Sequence, residues 1–189
     1  MGRPIYVDLD ATLIDSDVDE RGNVIRIHAR PGAGQFLGNL SGHGDLFLLT
    51  HAMRPHVKDA FRVIGKPSRL FVDVISREDM APIIEMIDFL IKDERLTPEE
   101  KGLLYNEIQP IAPRGYIFDD QPVGSDLYLY KTTSVGAKES DWIQVRPFRR
   151  GRTGGRELDR AYQEYLRRAG GPHAVMSGRA MRRPTRRAL

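Results

Sequence analysis

The feature that most constrains the fold is a short apolar run near the start of the sequence, which ends at two aspartates. Residues 5–7 read Ile-Tyr-Val, and Asp8 and Asp10 follow with one leucine between them. β-Branched and aromatic residues in such a run favour a buried strand, which puts both carboxylates at its carboxyl end. In open α/β sheets, ligands bind at that edge. Two carboxylates this close repel each other, so the pair indicates a divalent cation or chemistry that uses them in different roles.

Strand and helix signals alternate along most of the chain. Apolar runs predict further buried strands at 45–50, 69–74 and 114–120. One helix is predicted to begin near residue 31, before the first of these strands, and another over about residues 54–64, after it. The order strand, helix, strand, helix, strand is typical of a parallel sheet that is covered on both faces. We therefore predict an α/β fold with a doubly wound, Rossmann-like parallel sheet.

Two further segments interrupt this alternation. Polar residues followed by a short alternating segment predict a small β flap over about residues 14–30. Helical patterns predict a helical segment over about residues 76–110, which we interpret as packing helices. The Leu-Tyr-Leu-Tyr run at 127–130 predicts a fifth strand ending near Lys131, and residues 142–145 predict a last edge strand.

Charge divides the chain near residue 145. Residues 146–189 carry thirteen arginines against three acidic residues, whereas residues 1–145 carry 16 basic and 23 acidic residues. We therefore predict a folded domain over 1–145 and an Arg-rich C-terminal helix and tail over 146–189, with the helix at 156–168. The end of the tail has too few apolar residues to fold alone. Its arginines suit nucleic acid or an acidic partner, and a solubilising tail is the alternative.

Composition excludes several kinds of site and location. The chain has no cysteine, which excludes disulfides, thiolate metal sites and cysteine nucleophiles. Residues 1–4 do not begin an apolar signal region, and no stretch is long and apolar enough to cross a membrane. We therefore expect a cytoplasmic or virion-associated protein with no exported form and no membrane partner.

Polar side chains end three of the predicted strands. Asp8 and Asp10 end the first strand, Thr50 ends the second, and Asp119 and Asp120 end the strand at 114–120. Because the carboxyl ends of parallel strands meet at one edge, we expect these side chains to converge. Four carboxylates around one crevice suit a hard cation, and Mg²⁺ suits a partly hydrated site that a substrate phosphate completes.

These residues resemble the haloacid dehalogenase-like phosphohydrolase superfamily. Residues 8–12 match its first motif, Asp-x-Asp-x-Thr, residues 48–50 match its apolar strand ending in Thr or Ser, and residues 117–120 match its strand ending in an acidic pair. Within the superfamily, the closer likeness is to the group related to the RNA polymerase II C-terminal-domain phosphatases. That group carries Arg-Pro-Gly and then Phe-Leu between the first two motifs, as residues 30–32 and 36–37 do here.

The resemblance, which covers about residues 4–145, implies a Mg²⁺-dependent phosphomonoester hydrolase with an aspartyl-phosphate intermediate. Asp8 would be the nucleophile, and Asp10 the general acid that later acts as general base. Thr50 would donate a hydrogen bond to a phosphoryl oxygen, and Thr12 would brace the loop. The implied metal ligands are Asp8, the backbone carbonyl of Asp10, and Asp119 or Asp120.

The chain departs from the family pattern at the cation that should pair with the nucleophile and the phosphate. The related proteins carry Lys-Asp well upstream of the acidic pair. Lys101 lies at suitable spacing, although within a predicted helix, and we take it as the phosphate-binding cation. Lys92, Arg114 and Lys66 are alternatives.

The substrate stays open among phosphoproteins, nucleotides and nucleic acids, since that choice depends on the flap and the helical segment. Alternative functions are a nucleotidase or nucleic-acid end phosphatase, whose Arg-rich tail would hold the polymer, and a non-catalytic nucleic-acid- or protein-binding module on a phosphatase scaffold. His51 and His56 are interpreted as surface or packing residues, because no third histidine or carboxylate near them has ligand spacing.

Overall fold

Helices and strands alternate along the computed structural model, which describes residues 3–65, 67–151 and 156–170. In chain order the strands are β1 (Ile5–Val7), β2 (Ile14–Val18), β3 (Val24–Ala29), β4 (Leu46–Leu49), β5 (Phe71–Ile75), β6 (Tyr116–Asp119) and β7 (Trp142–Gln144). The helices are α1 (Ala33–Ser41), α2 (Arg54–Ile64), α3 (Arg77–Lys92), α4 (Pro98–Asn106), α5 (Asp126–Ser134) and α6 (Arg156–Arg168). None of the helices in these ranges combines the length and the apolar composition that a membrane crossing requires.

β1 lies in the middle of a five-stranded parallel sheet of order β5-β4-β1-β6-β7. Val7 pairs with Leu48 of β4 on one side and with Phe118 of β6 on the other. The chain builds the β4 and β5 side first and then crosses to the β6 and β7 side. The prediction of an α/β fold with a doubly wound, Rossmann-like sheet is therefore confirmed, and Asp8 lies at the point where the strand order reverses.

Alternate residues of each strand pack on opposite faces of this sheet. Ile5 and Val7 belong to the core covered by α1, α2 and α6, whereas Tyr6 belongs to the core on the side of α3 and α5. In β6, Phe118 and Ile117 divide in the same way, and all five side chains are fully buried. Burial of each such side chain contributes about 2 kcal/mol. The two cores therefore hold the ends of the strands, and the side chains that follow them, in fixed positions.

The predicted flap and helical segment are both present. β2 and β3 form a separate antiparallel hairpin directly after β1, within the range 14–30 predicted for the flap. α3 and α4 fill the segment predicted as helical at 76–110. The side chains of Thr97 and Glu100 form a capping box at the start of α4, which satisfies backbone N–H groups that the helix leaves free.

The segment after β6 is a helix, so the prediction of a fifth strand at residues 127–130 is wrong. Ser125 caps α5 by accepting a hydrogen bond from the backbone N–H of Tyr128 (3.2 Å). The Leu-Tyr-Leu-Tyr alternation is typical of a strand, but β6 and β7 pair in parallel. Neighbouring parallel strands need a long crossover, usually a helix, and this topology overrides the local alternation. Lys131 consequently lies inside a helix.

α6 forms over the amphipathic segment 156–168 and packs on the sheet. Its residues Leu158, Ala161 and Tyr165 are buried in the same core as β1. The helical part of the Arg-rich segment is therefore joined to the central fold by apolar contacts. Residues 171–189, which hold the rest of the predicted tail, lie outside the described residues.

Candidate active site

The carboxyl edge of the sheet brings together the side chains that the sequence predicts there. Asp8 follows β1, Thr50 follows β4, and Asp119 ends β6. The backbone ladder continues past the strands, because the N–H of Asp8 donates to the carbonyl of Phe118 (2.9 Å) and that of Thr50 to the carbonyl of Ile75 (2.9 Å). The convergence of these groups thus follows from parallel strand pairing.

Three carboxylates form a buried acidic cluster at this edge. Oxygens of Asp8, Asp119 and Asp120 lie within 4.8 Å of one another, and all three residues are buried. Burial raises the pKa of Asp8, and burial together with the charge of Asp119 raises the pKa of Asp120 to about 6. Crowded, buried carboxylates are costly, and a bound cation relieves that cost. The oxygen donors of this cluster fit Mg²⁺.

Lys131 of α5 supplies the positive charge inside this cluster. Its Nζ donates to Oδ1 of Asp8 (2.7 Å) and to Oδ2 of Asp119, and its side chain is 2% exposed. Burial alone lowers the pKa of Lys131, but the carboxylates of Asp119 and Asp8 outweigh it, so the pKa lies above its ordinary value. The ammonium group is therefore charged and pairs with the predicted nucleophile.

Of the cations suggested by the sequence, the three that the structure describes do not reach this cluster. Lys101 projects from α4, where its Nζ lies 3.4 Å from the carbonyl oxygen of Ile91. Lys92 ends α3, and Arg114 precedes β6 and so lies at the opposite edge of the sheet. Lys66 lies outside the described residues. Spacing along the chain predicts Lys101, but spacing does not determine the direction in which a helix presents its side chains. In the structure Lys131, and not Lys101, contacts the acidic cluster.

A small pocket opens beside the acidic cluster. Its volume is about 230 Å³, and its walls include Asp8, Thr50, Leu127 and Lys131. The Thr50 hydroxyl accepts a hydrogen bond from the backbone N–H of Ala52 (3.1 Å), so its own hydrogen can be donated to a bound anion. The pocket therefore combines a carboxylate, a hydroxyl donor and an ammonium group, which are the groups that chemistry on a phosphate ester needs.

Asp10 has surroundings unlike those of Asp8. Its carboxylate is 48% exposed, and its Oδ1 lies 2.9 Å from Nε2 of His56. This hydrogen bond raises the pKa of His56. His56 therefore contacts Asp10, a contact that the sequence does not predict, while His51 lines the pocket and stacks on Tyr130. The two aspartates, one buried and one half exposed, are suited to different tasks.

The loop after β1 is held by hydrogen bonds from Arg30 and from the chain that follows β7. Ala11 has a positive φ of 57°, which is uncommon for a residue with a side chain. Its carbonyl accepts a hydrogen bond from the backbone N–H of Phe148 (2.5 Å). The next carbonyl, that of Thr12, accepts one from Nη1 of Arg30 (3.0 Å), whose Nη2 also donates to the carbonyl of Arg146 (2.9 Å). Arg30 and the chain around Arg146 thus fix the backbone that carries Asp10.

Replacing Arg30 by Met should lower the free energy of unfolding by about 3 kcal/mol, because the buried carbonyl of Thr12 and the partly buried carbonyl of Arg146 lose a charged donor. Arg30 is 1% exposed and Thr12 is fully buried, so water cannot replace the hydrogen bond to the Thr12 carbonyl. Chemical denaturation followed by circular dichroism measures the change. The matched control is Arg62→Met, which removes an exposed pair with Asp59 and should cost less than about 0.5 kcal/mol. Equal losses in both variants would contradict the bracing role of Arg30.

Comparison with known families gives a match to a phosphatase family. The family model of NLI interacting factor-like phosphatases matches residues 5–99. The matched range begins with β1 and includes Asp8, Asp10 and Thr50, whereas the acidic pair and Lys131 lie beyond it. A comparison with curated proteins found no match.

Two of the solved structures that match this chain are of the RNA polymerase II CTD phosphatase Fcp1. One, a fission yeast Fcp1 variant bound to beryllium fluoride, is 16% identical with a TM-score of 0.44, and the match covers 89% of this chain and 50% of that one. The other, of Fcp1 as an essential RNA polymerase II CTD phosphatase, is 19% identical with a TM-score of 0.48, and the match covers 88% of this chain and 48% of that one. The chain spans about half the length of both.

Proposed function

The chain belongs to the NLI interacting factor-like phosphatase family, and on that premise we propose that it hydrolyses phosphomonoesters in a Mg²⁺-dependent reaction through an aspartyl-phosphate intermediate. The observation that carries the proposal is the contact of Lys131 with Asp8 and Asp119 beside a pocket that also holds Thr50. A buried carboxylate next to a fixed cation is suited to attack a group that carries negative charge, because the cation attracts that group.

In the first half of the reaction, a carboxylate oxygen of Asp8 attacks phosphorus and the bond from phosphorus to the leaving oxygen breaks. Asp10 gives its proton to that oxygen, so the product leaves as an alcohol. Lys131 and Thr50 donate hydrogen bonds to the phosphoryl oxygens and stabilise the charge on them. The phosphoryl group is then an acyl phosphate on Asp8.

In the second half, a water molecule attacks the phosphorus of this aspartyl-phosphate. Asp10, now a carboxylate, takes a proton from the water, and the bond between phosphorus and Asp8 breaks. Inorganic phosphate leaves, Asp8 is again a carboxylate, and Asp10 is again protonated. The half-exposed position of Asp10 supports this role, because the group must exchange protons with both the leaving oxygen and water.

The residues that would hold Mg²⁺ are Asp8, the backbone carbonyl of Asp10, Asp119 and Asp120. The side chains of three of them form the buried acidic cluster, which supports this assignment. When bound, the ion would offset the charge of the cluster and of the substrate phosphate. Lys131 contributes one positive charge against three carboxylates, which leaves room for a divalent cation.

Removal of divalent metal should lower phosphate release by about 100-fold or more, and added Mg²⁺ should restore it. The measurement is release of inorganic phosphate after dialysis against a chelator, with a monovalent salt at equal ionic strength as control. Mg²⁺ should also raise the midpoint of thermal unfolding, since it binds the folded cluster and not the unfolded chain. Full activity in the chelated protein would contradict the metal assignment.

The test of the function itself is a substrate screen with Mg²⁺. It should include an aryl phosphate, a phosphoserine peptide, a nucleoside monophosphate and an oligonucleotide with a terminal phosphate. Hydrolysis of any of them supports the proposal, and the preferred substrate distinguishes a phosphoprotein phosphatase from a nucleotidase or a nucleic-acid end phosphatase. If no phosphomonoester is hydrolysed, the proposal fails and a non-catalytic binding module takes its place.

A further inference from the structure

His56 faces the side chain to which the proposed mechanism assigns the proton transfers. It lies in the first turn of α2, and its Nε2 is 2.9 Å from Oδ1 of Asp10. The His56 side chain is 18% exposed, whereas that of Asp10 is 48% exposed. The imidazole is therefore the more enclosed and the more fixed member of the pair.

The helix that carries His56 is anchored at its first turn and along its length. Val57 and Ala60 of α2 are buried in the core that α1, α2 and α6 cover on one face of the sheet. At the start of the helix, Arg54 donates to both carboxylate oxygens of Asp79 in α3 (2.7 and 2.9 Å). Asp10, in contrast, projects from the loop after β1. A hydrogen bond from a packed helix to a loop side chain restricts the loop side chain rather than the helix.

The geometry has a direct consequence for the carboxyl group of Asp10. With Oδ1 held by His56, Oδ2 is the oxygen left to exchange a proton with the leaving group. A general acid works when it lies within hydrogen-bonding distance of the leaving oxygen, and a displacement of about 1 Å can cost up to 100-fold in rate. A half-exposed aspartate without a partner would spend much of its time in other rotamers.

We propose that His56 is a positioning residue, which acts through Asp10 by holding its carboxyl group in the orientation needed for proton transfer. This inference rests on the proposed function, because it needs Asp10 to be the general acid and base. Since His56 acts through Asp10, its removal should matter most for substrates whose leaving group needs a proton, and should not matter once Asp10 is gone.

Leaving-group dependence provides the first measurement. The value of kcat/KM reports the steps up to release of the leaving group, so it excludes the later attack of water. In His56→Ala, kcat/KM for an alkyl phosphate should fall about tenfold. For 4-nitrophenyl phosphate, whose leaving group needs little protonation, the loss should stay below about threefold. His56→Gln keeps a side-chain donor and should recover most of the loss with the alkyl phosphate.

A double-mutant cycle provides the second measurement. Asp10→Asn and the double variant with His56→Ala should have the same kcat/KM for the alkyl phosphate, because His56 has nothing left to position. If the double variant loses kcat/KM by the product of the two single-variant factors, the inference is overturned, since His56 would then act on the substrate directly. Equal losses with both leaving groups would overturn it as well.

The control is His43→Ala. His43 is hydrogen-bonded to Tyr162 (2.7 Å) and precedes β4, so it lies at the edge of the sheet opposite the pocket. This variant should keep the wild-type values for both substrates, and thermal unfolding of all variants should show that each is folded. If wild type and Asp10→Asn behave as proposed but His56→Ala equals wild type, the inference fails and the proposed function stands. If wild type hydrolyses no phosphate ester, both fail.

Discussion

Asp8→Asn should lower kcat by about 10⁴-fold or more, because an amide cannot form the phosphoryl bond that divides the reaction into two steps. Asn has nearly the same shape as Asp, and Lys131 keeps its bond to Asp119, so the fold should survive. Burial raises the pKa of Asp8, which means that the charged carboxylate costs the fold energy and a neutral amide should be tolerated at position 8. Phosphate release and thermal unfolding measure the two effects separately.

The proposed covalent intermediate gives a readout that does not depend on turnover. Wild type quenched in acid during hydrolysis of a radiolabelled substrate should retain hydroxylamine-sensitive phosphate, and Asp8→Asn should retain none. Asp45→Asn is the matched control, since Asp45 is exposed and precedes β4 at the opposite edge of the sheet. If Asp8→Asn keeps more than about one hundredth of the wild-type rate, Asp8 is not the nucleophile.

Lys131→Met should lower kcat by about 10³-fold and the free energy of unfolding by about 3 kcal/mol at neutral pH in metal-free buffer. Met fills a similar volume, but it leaves the carboxylates of Asp8 and Asp119 without the ammonium group that now lies between them. Both effects have the same cause, which is a buried negative charge that has lost its partner.

The sign of the pH dependence follows from the Asp8 carboxyl. Burial raises its pKa and Lys131 opposes that rise, so removal of Lys131 raises the folded-state pKa further. A carboxyl whose pKa is higher in the folded than in the unfolded state destabilises the fold above the unfolded value of about 4, most strongly once pH exceeds the folded value. The stability deficit of Lys131→Met should therefore shrink as pH falls through the folded pKa.

Lys101→Met separates the two candidate cations. Lys101 lies on α4 near the carbonyl of Ile91, so this variant should change neither kcat nor the unfolding free energy measurably. Loss of activity in Lys101→Met together with a fully active Lys131→Met would contradict the assignment made from the structure. Denaturation curves at several pH values and steady-state kinetics at saturating Mg²⁺ provide both comparisons.

Local sequence patterns were sufficient to predict the three strands that carry the candidate site and the acidic residues at their ends. The apolar runs that end at Asp8, Thr50 and Asp119 are buried strands, and parallel pairing alone makes their ends converge. The same reasoning failed after β6, where Leu127–Tyr130 alternates like a strand. That segment is a helix because β6 pairs with β7 in parallel, and parallel neighbours need a long crossover between them.

The contacts made by helices were beyond prediction, because they join residues that no local pattern relates. Lys131 and Asp8 are 123 positions apart, and His56 and Asp10 are 46 apart. In each pair the chain reaches the site through a helix whose rotation is set by its packing on the sheet. Spacing along the chain carries no information about that rotation, which is why it points to Lys101 instead of Lys131 and does not relate His56 to Asp10.

The sequence by itself determined the α/β class, the position of the candidate site at the carboxyl edge and the cluster of carboxylates there, because each follows from short-range patterns and from the direction of parallel strands. The tertiary structure decided which cation meets Asp8 and which neighbour holds Asp10. These two contacts depend on how α5 and α2 are packed, and helix packing is settled by the whole core.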